Sequence, residues 1–382
     1  MKIIADQSIP LVKETFSSIG DVTLFSVQDI SRENIGDADI LIIRTLTKVD
    51  KTLVDDRAVK FIGTNAVGTD HIDLDYLKDR GVGFANAKGC NSKAVAEYVF
   101  AALYSLARNL RFELTGLKLG VVGVGNIGSI VARMAEGLGM VVKKNDPPLR
   151  RKTNDRSFVD LDELMDCDII TLHVPLTFEG IDATHHFFDR ERIFKMKRGS
   201  ILINTSRGAV VETEGLIDAV DSGHLWATVV DVWENEPEID TELLKRVSIG
   251  TPHIAGYSYE GKVMGTYLVY KKTCKYFGLD CRWTPDKILT RPETDEIEIN
   301  GQGRGEVELI DDLIRKVYDI RKDCNNLSMI QVHPESERSE YFINLRNNYR
   351  IRREFHNFHV KLKNCPSGVE KALKVLGFKI CA

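Results

Sequence analysis

Three apolar runs in the middle of the chain are each followed by a different ionisable side chain: Arg207, Glu236 and His253. Short apolar runs bounded by Gly, Asn and Pro predict buried strands of a parallel sheet, and ligands bind outside the carboxyl ends of such strands. We therefore expect a guanidinium, a carboxylate and an imidazole to meet at one edge of a sheet. The runs occupy residues 201–204, 228–232 and 247–250.

These three side chains suit redox chemistry on a 2-hydroxy acid. An arginine fork grips a carboxylate at two points, histidine exchanges a proton near neutral pH, and a carboxylate orients the histidine. Oxidation also removes a hydride from carbon, which no side chain accepts, so a cofactor is required. Separately, His253 could cap a helix, Glu236 could be a turn acid and Arg207 could form a local ion pair. The presence of all three ionisable residues at one edge of the predicted sheet favours a functional cluster over these separate roles.

The cofactor signal lies upstream, where the predicted strand at 118–122 leads into Gly123-Val124-Gly125-Asn126-Ile127-Gly128 and then a helical pattern. Glycines there allow a tight turn, close approach to a pyrophosphate and close packing of helix on sheet. A second predicted strand ends at Asp146, about twenty residues further on, as expected for a ribose-binding carboxylate. The sequence therefore predicts a dinucleotide site.

Asp146 favours NAD over NADP, because its carboxylate would bind the ribose hydroxyls and repel a 2′-phosphate. The alternative is a strand-end turn formed with Pro147 and Pro148. The basic residues at 150–152 could weaken the preference for NAD, but a solvated loop is the favoured interpretation.

Alternation of strands and helices predicts a doubly wound NAD-binding Rossmann domain over residues 93–253. Residues 1–92 repeat the alternation without a phosphate loop, which indicates a smaller, flavodoxin-like substrate lobe. A helix over 94–106 is apolar nearly all round and should be buried. The helix at 260–277 would return the chain to the first lobe, which becomes discontinuous (1–92 and 254–284), and a cleft between two lobes is a usual ligand site.

Beyond residue 284 the composition changes, and a small α+β C-terminal domain is predicted over 285–382. Four arginines, Arg346, Arg350, Arg352 and Arg353, fall on or beside its second predicted helix. A solvated basic helix face is the favoured interpretation, and reach into a partner subunit's cleft is the alternative. The predicted elements are strands at 296–299 and 358–362 and helices at 307–320, 341–354 and 368–376.

Composition is that of a globular enzyme rather than of a nucleic-acid or membrane protein. The chain has 382 residues, 43% of them hydrophobic, and a net charge of −4, which gives no general attraction to nucleic acid or to membrane surfaces. No apolar run reaches membrane length and no signal pattern begins the chain. Seven cysteines without a C-x-x-C pair indicate reduced thiols and a cytoplasmic location. No metal site is predicted.

Together the four motifs at 123–128, 204–211, 231–237 and 253–256 resemble the signatures of the NAD-dependent D-2-hydroxyacid dehydrogenase family. The resemblance implies that His253 is the acid/base, Glu236 its carboxylate partner and Arg207 the substrate carboxylate anchor. It also implies Thr45, Ala66 and Tyr257 as substrate contacts, and we add Arg44 for a phosphate. The implied cofactor positions are Gly123, Gly125, Asn126, Ile127, Gly128, Asp146, Val174, Thr205, Ser206, Asp231 and Gly256.

Within that family the chain is most similar to a branch that oxidises 4-phospho-D-erythronate to 2-oxo-3-hydroxy-4-phosphobutanoate in pyridoxine (vitamin B6) biosynthesis. Motifs at 68–73, 88–91, 146–148, 317–321 and 345–349 carry this narrower match. It implies a homodimer formed through the C-terminal domain. Two positions depart from the family pattern, since Ala66 and Val174 stand where threonine is usual, which puts one substrate contact and one cofactor contact in question.

Two alternatives remain open on the sequence. Another D-2-hydroxyacid dehydrogenase, such as one acting on 3-phosphoglycerate, would share the motifs, although the segment at 345–349 argues against it. An NAD(H)-sensing corepressor of the C-terminal-binding-protein type would share the fold and the three ionisable residues. The folded module predicted after residue 285, in place of a disordered tail, counts against that type.

Overall fold

The computed structural model describes residues 1–55, 57–285, 289, 292 and 294–381. Its described residues divide into two compact units, one comprising Met1–Asn91 with Ser258–Arg291 and the other Ser92–Tyr257 with Pro292–Ala382. Residues 286–288, beside the predicted domain boundary at 285, lie outside the described set. Among the described helices, none carries an apolar stretch long enough to span a bilayer.

The first unit contains a five-stranded parallel sheet, in which the strands lie in the order second, first, third, fourth and fifth along the chain. Apolar runs such as Ile40–Ile43 form its fully buried central strands, as the sequence predicts. The edge strand Asp21–Phe25 was not predicted, because its side chains are mostly exposed and form no continuous apolar run. The strands are β1 (Lys2–Asp6), β2 (Asp21–Phe25), β3 (Ile40–Ile43), β4 (Phe61–Thr64) and β5 (Gly83–Asn86), and the helices are α1 (Val12–Phe16), α2 (Lys51–Val54), α3 (Leu74–Asp79) and α10 (Tyr259–Phe277).

The second unit contains a six-stranded parallel sheet, in which its strands lie in the order sixth, fifth, fourth, third, first and second along the chain. The long helix α4, Ser92–Leu110, is buried along nearly its whole length and packs into the main core, as its apolar composition predicts. The strands are β6 (Lys118–Val122), β7 (Val141–Asn145), β8 (Ile169–Leu172), β9 (Ser200–Asn204), β10 (Leu225–Val230) and β11 (Ile249–Gly250), and the further helices are α5 (Gly128–Gly137), α6 (Pro147–Thr153), α7 (Arg190–Lys195), α8 (Thr213–Asp221) and α9 (Thr241–Arg246).

The C-terminal part of the second unit has its own three-stranded parallel sheet, whose strands lie in chain order. The predicted fold class, two doubly wound α/β sheets with a small α+β C-terminal region, is confirmed. The strands are β12 (Glu296–Asn300), β13 (His359–Lys363) and β14 (Lys379–Cys381), and the helices are α11 (Glu306–Val317), α12 (Ile320–Ser328), α13 (Glu335–Asn347) and α14 (Ser367–Leu376).

Two details of the C-terminal prediction are wrong. The helix predicted over 307–320 stops at Val317, where the extended Tyr318 separates α11 from α12. The helix predicted over 341–354 begins earlier and ends at Asn347, so Arg350, Arg352 and Arg353 lie outside it. Arg352 is only 2% exposed, so these residues do not form one solvated basic helix face.

Arg352 lies instead in the core of the second unit. Its guanidinium donates hydrogen bonds to the carbonyl oxygens of Ala255, at 3.0 Å, and Ala94, at 2.7 Å. It also lies 3.8 Å from the centre of the Tyr318 ring, within the range of a cation–π contact. The segment after α13 is thus tied to both the start of α4 and the segment that follows His253.

Candidate active site

All six strands of the larger sheet are parallel, so their carboxyl ends lie at the same edge. Every residue predicted for cofactor or catalysis follows the carboxyl end of one of these strands. The glycine loop at 123–128 follows β6, Asp146 follows β7, Val174 follows β8, Thr205, Ser206 and Arg207 follow β9, Asp231 and Glu236 follow β10, and His253 and Gly256 follow β11.

The glycine loop needs glycine at two positions for packing and leaves open space at a third. A Cβ atom on Gly123, whose φ is 82°, would lie 2.6 Å from the carbonyl oxygen of His173. A Cβ atom on Gly128, where α5 begins, would lie 2.0 Å from the carbonyl oxygen of Gly123. At Gly125 a Cβ would meet no atom of the described residues within 4 Å. The loop therefore has room for a ligand at the N-terminus of a helix, as a pyrophosphate requires.

Asp146 connects the end of β7 to this loop. One of its carboxylate oxygens accepts a hydrogen bond from the Val124 amide at 2.8 Å. The other accepts from the Leu149 amide at 2.9 Å and caps α6. Residues 150–152 belong to that helix, so the prediction of a loop there is wrong, and Arg150 pairs with the exposed Asp160.

His173, beside Val174, holds the next strand end to Thr205. Its Nε2 atom lies 3.0 Å from the Thr171 hydroxyl, and its Nδ1 atom lies 3.3 Å from the Thr205 hydroxyl. Burial lowers the pKa of His173 to about 3, so the ring is neutral at physiological pH. The imidazole thus connects the end of β8 to the loop that follows β9.

Arg207 projects from a tight loop that follows β9. Asn204 organises this loop, since its side-chain oxygen accepts from the Ser206 amide at 3.0 Å and its amide donates to the Arg207 carbonyl at 3.0 Å. One guanidinium nitrogen of Arg207 donates to the Ser206 carbonyl at 2.8 Å. A Cβ on Gly208 would lie 2.0 Å from the Trp233 backbone, so glycine lets the Arg207 loop pack against the segment that carries Glu236.

Asp231 organises the segment that carries His253. Its side chain accepts from the Thr251 hydroxyl at 2.6 Å and from the amides of Ile254 and Ala255 at 2.8 and 3.0 Å. Its carbonyl accepts from the His253 amide at 2.7 Å, which supports a left-handed φ of 57° at that histidine. Burial raises the pKa of Asp231, although these hydrogen bonds and the charge of His253 oppose the shift.

His253 and Glu236 form a direct pair. The Nδ1 atom of His253 lies 2.7 Å from Oε2 of Glu236, and Oε1 accepts from the Trp233 amide at 2.8 Å. Burial acts to raise the pKa of Glu236, but the charge and hydrogen bond of His253, the Trp233 amide and the charge of Arg346 outweigh it and leave that pKa below its ordinary value. Glu236 is therefore ionised at neutral pH and orients an imidazole whose Nε2 is on the opposite side of the ring.

Arg346, near the end of α13, is the main residue that the sequence did not assign to the site. One of its guanidinium nitrogens lies 3.9 Å from Oε2 of Glu236, and its side chain is hydrogen-bonded to Tyr257. The Tyr257 ring in turn meets Tyr349 edge to face, with centroids 5.7 Å apart. The C-terminal region thus contributes side chains at the carboxylate of the His253 pair.

The predicted substrate residues of the first unit follow the carboxyl ends of its sheet. Arg44 and Thr45 follow β3 and Ala66 follows β4. The Nε atom of Arg44 donates to the buried carboxylate of Asp6 at 3.0 Å. Lys262, on α10, was not predicted, and burial together with the charge of Arg44 lowers its pKa.

Two groups of described residues have the side-chain types that hold metal ions. One comprises His185, His186 and Glu234, and the other is Glu97, Glu354 and His356. In the first, Nε2 of His186 lies 2.6 Å from Glu234, whose other oxygen accepts from the Thr213 hydroxyl at 2.6 Å. These hydrogen bonds already satisfy the Glu234 carboxylate without an ion.

Comparison with known proteins shows the family of the chain. Residues 93–255 match the family model described as D-isomer specific 2-hydroxyacid dehydrogenase, NAD binding domain, and residues 288–377 match a domain of unknown function, DUF3410. A curated erythronate-4-phosphate dehydrogenase of Marinobacter nauticus is 38% identical over the full length of both chains. Another, from Escherichia coli, is 40% identical over 94% of each. The chain belongs to the erythronate-4-phosphate dehydrogenase family.

This family membership makes the chain an NAD-dependent dehydrogenase with a D-2-hydroxyacid dehydrogenase fold. The solved structure of a D-lactate dehydrogenase from Aquifex aeolicus, complexed with NAD and lactic acid, is similar at a TM-score of 0.59 and 28% identity. It matches 73% of this chain and 96% of its own length. About a quarter of this chain is therefore left unmatched by that enzyme.

Proposed function

We propose that the chain oxidises 4-phospho-D-erythronate to 2-oxo-3-hydroxy-4-phosphobutanoate, a step of pyridoxine biosynthesis, in the cytoplasm. The observation that carries the proposal is the 2.7 Å pair of His253 and Glu236, which follows adjacent strands β10 and β11 on the sheet that also bears Arg207 and the glycine loop. Relatives named for this substrate match the chain along its whole length.

In this mechanism Arg207 binds the carboxylate of the substrate through its guanidinium fork, which sets the orientation of C2. Nε2 of His253 accepts the proton of the C2 hydroxyl while Nδ1 keeps its hydrogen bond to Glu236. The ionised carboxylate of Glu236 stabilises the imidazolium that forms. Bound NAD supplies the acceptor for the hydride that leaves C2.

The residues at the carboxyl edge of the larger sheet fit NAD. The open space at Gly125 and the start of α5 at Gly128 suit the pyrophosphate, and the acceptor oxygens of Asp146 suit the adenosine ribose. Val174 would contact the cofactor through its backbone. A valine in place of the usual threonine leaves that backbone contact intact. The full proposed set is Gly123, Gly125, Asn126, Ile127, Gly128, Asp146, Val174, Thr205, Ser206, Asp231 and Gly256.

For the rest of the substrate we assign Thr45, Ala66 and Tyr257 as contacts and Arg44 as a phosphate ligand. Arg44 uses its Nε for Asp6, which orients the guanidinium while its terminal nitrogens remain the donors suited to a phosphate. Lys262 adds a second cation close to Arg44, since burial and then the charge of Arg44 lower the pKa of Lys262. Ala66 contributes backbone atoms only.

The proposal is tested by following NADH absorbance with a panel of phosphorylated and unphosphorylated 2-hydroxy acids. 4-Phosphoerythronate is expected to give the highest kcat/KM of the panel. Reduction of NAD with 3-phosphoglycerate or D-lactate, but not with 4-phosphoerythronate, would overturn the substrate assignment and retain the reaction class.

We also propose that the chain acts as a homodimer assembled through residues 285–382. The support is the resemblance of the C-terminal segments to those of the same branch. Light scattering coupled to gel filtration is expected to give twice the chain mass, and a monomer mass that holds across protein concentrations would contradict the dimer.

The cytoplasmic location is supported by the cysteines. All seven are free thiols in the structure, as expected in a reducing compartment. Recovery of the activity with soluble cytoplasmic markers after fractionation of the source cells is the expected result.

A further inference from the structure

Arg346 belongs to the C-terminal region but lies beside the catalytic pair. Its side chain is mostly buried, and one guanidinium nitrogen lies 3.9 Å from the same Glu236 oxygen that is hydrogen-bonded to His253. A cation at that distance attracts the carboxylate without displacing the imidazole from it. Arg346 is also hydrogen-bonded to Tyr257, a proposed substrate contact.

We propose that Arg346 is a positioning residue for the reaction, which holds Glu236 ionised and oriented toward His253 and supports Tyr257. The inference rests on the proposed roles of Glu236 and His253, and it does not depend on which 2-hydroxy acid is the substrate. It gives the C-terminal region a part in catalysis in addition to any part in assembly.

The charges around Glu236 support this role. The groups that act on its carboxylate are His253, the Trp233 amide and Arg346. Burial by itself would raise the pKa of Glu236, and the charge and hydrogen bond of His253, the Trp233 amide and the charge of Arg346 together lower it. The charge of Asp231 also raises the pKa of Arg346, which favours the charged guanidinium.

Arg346 itself remains charged in this environment. Burial acts to lower its pKa, but its interactions with Tyr257 and the charge of Glu236 raise the pKa above its ordinary value. Among the described residues its Nε atom has no hydrogen-bond partner. At 3.9 Å its guanidinium acts on Glu236 through charge rather than through a bidentate pair, so we do not expect a neutral side chain to replace it.

The D-lactate dehydrogenase of Aquifex aeolicus matches 73% of this chain, which leaves about a quarter unmatched. The curated relatives match the C-terminal region as well. Arg346 comes from this C-terminal region, whereas Glu236 and His253 follow strands of the larger sheet. Substitution of Arg346 should therefore change the reaction without removing the His253–Glu236 pair.

The test is the pH profile of kcat/KM for the variants Arg346→Gln and Arg346→Leu, with Arg338→Gln as the matched control. Arg338 lies on the same helix α13, and its Nε donates to the His333 carbonyl at 3.2 Å. Loss of the positive charge should make the His253–Glu236 pair hold its proton more tightly. We expect the acid limb of the oxidation profile to move up by roughly 0.5–1 pH unit in both neutral variants, a value discounted for partial exposure.

Arg346→Lys is expected to restore the midpoint to within about 0.3 pH unit, because it keeps the charge, and Arg338→Gln should not move it. NADH binding, followed by fluorescence, verifies that each variant is folded. Because Arg346→Gln and Arg346→Leu differ in shape, the test can still be made if one of them misfolds. A loss of kcat with an unmoved midpoint and no rescue by lysine would show a merely structural role and overturn the proposal.

A second comparison distinguishes positioning from phosphate binding. Each variant is assayed with 4-phosphoerythronate and with unphosphorylated erythronate. Equal fold-losses on the two acids support positioning of Glu236, whereas a loss confined to the phosphorylated acid would make Arg346 a phosphate ligand and overturn it. If the wild-type chain oxidises neither acid but another one, the substrate assignment fails while the pH-profile test continues with that acid.

Discussion

The imidazole of His253 and the carboxylate of Glu236 are hydrogen-bonded at 2.7 Å, across 17 residues of sequence. The two side chains come from the segments after adjacent strands β11 and β10. Because parallel neighbours end together, a short excursion after each strand is enough to bring the side chains into contact. In the proposed mechanism the imidazole takes the proton of the substrate hydroxyl, and the ionised carboxylate of Glu236 stabilises the imidazolium that forms.

Replacing the base should stop the reaction without loss of the cofactor. We expect His253→Ala to lower kcat by about 10²–10⁴-fold or more, the usual contribution of general acid–base catalysis. NADH fluorescence titration should give a Kd close to that of the wild type. Loss of NADH binding in parallel would assign His253 a structural role through its contacts with Asp231.

Replacing the carboxylate anchor should act on the substrate rather than on the cofactor. Arg207→Lys keeps the charge but removes the planar fork, so we expect kcat/KM for the hydroxy acid to fall by roughly 10–100-fold. NADH binding and the thermal midpoint are the controls. An unchanged kcat/KM would show that the guanidinium serves only its loop, through the Ser206 carbonyl.

Two glycines should respond to alanine in opposite ways. Gly208→Ala places a Cβ 2.0 Å from the Trp233 backbone, so the loop must move, and a large loss of thermal stability is expected. Gly125→Ala meets no described atom within 4 Å and should fold normally, but its methyl group intrudes on the proposed pyrophosphate space and should weaken NAD binding. Differential scanning fluorimetry with and without NADH compares the two, and normal NAD affinity in Gly125→Ala would contradict the assigned cofactor path.

The two roles of Asp146 are separable. Asp146→Ala removes the cap of α6 and should cost about 1 kcal/mol of unfolding free energy. Asp146→Ser keeps a capping oxygen and should recover most of that stability, while both variants lose affinity for NAD and discrimination against NADP. Denaturant unfolding and the ratio of kcat/KM for NAD and NADP measure the two effects. If Asp146→Ser still prefers NAD to NADP as strongly as the wild type, the carboxylate only caps α6 and does not select the cofactor.

Glu97, on α4, should make the fold sensitive to pH. Its side chain is fully buried and accepts from the Phe355 amide at 3.0 Å. Burial, followed by the charge of Glu354, raises the pKa of Glu97 well above its ordinary value, against the opposing charges of Arg352 and Lys93. Over the interval between the ordinary and the raised pKa, the folded chain holds a proton that the unfolded chain has released. The free energy of unfolding therefore falls as the pH rises through that interval.

Glu97→Gln keeps the shape and the acceptor for Phe355 but removes the charge. Its thermal midpoint should exceed that of the wild type by more at pH 8 than at pH 5. If the glutamine variant is equally destabilised at both pH values, the carboxylate is ionised in the folded state and its pairing with Arg352 is net stabilising.

Local sequence was sufficient for the elements with a strong local pattern. The buried strands β3, β9 and β10 are continuous apolar runs, and α4 is apolar nearly all round. The edge strand β2 and the bounds of α13 were missed. Their side chains are largely exposed, so no apolar period marks them and tertiary contacts decide where they begin and end.

By itself, the sequence determined which chemical groups lie at the carboxyl edge of the larger sheet. Residue type and position after predicted parallel strands were enough for Arg207, Glu236, His253 and the glycine loop, because strand direction sends consecutive strand ends to one side. Only the tertiary structure placed Arg346 beside Glu236 and buried Arg352 against Tyr318. Those contacts join segments far apart in the chain, and side-chain packing between them leaves no periodic signal in either segment.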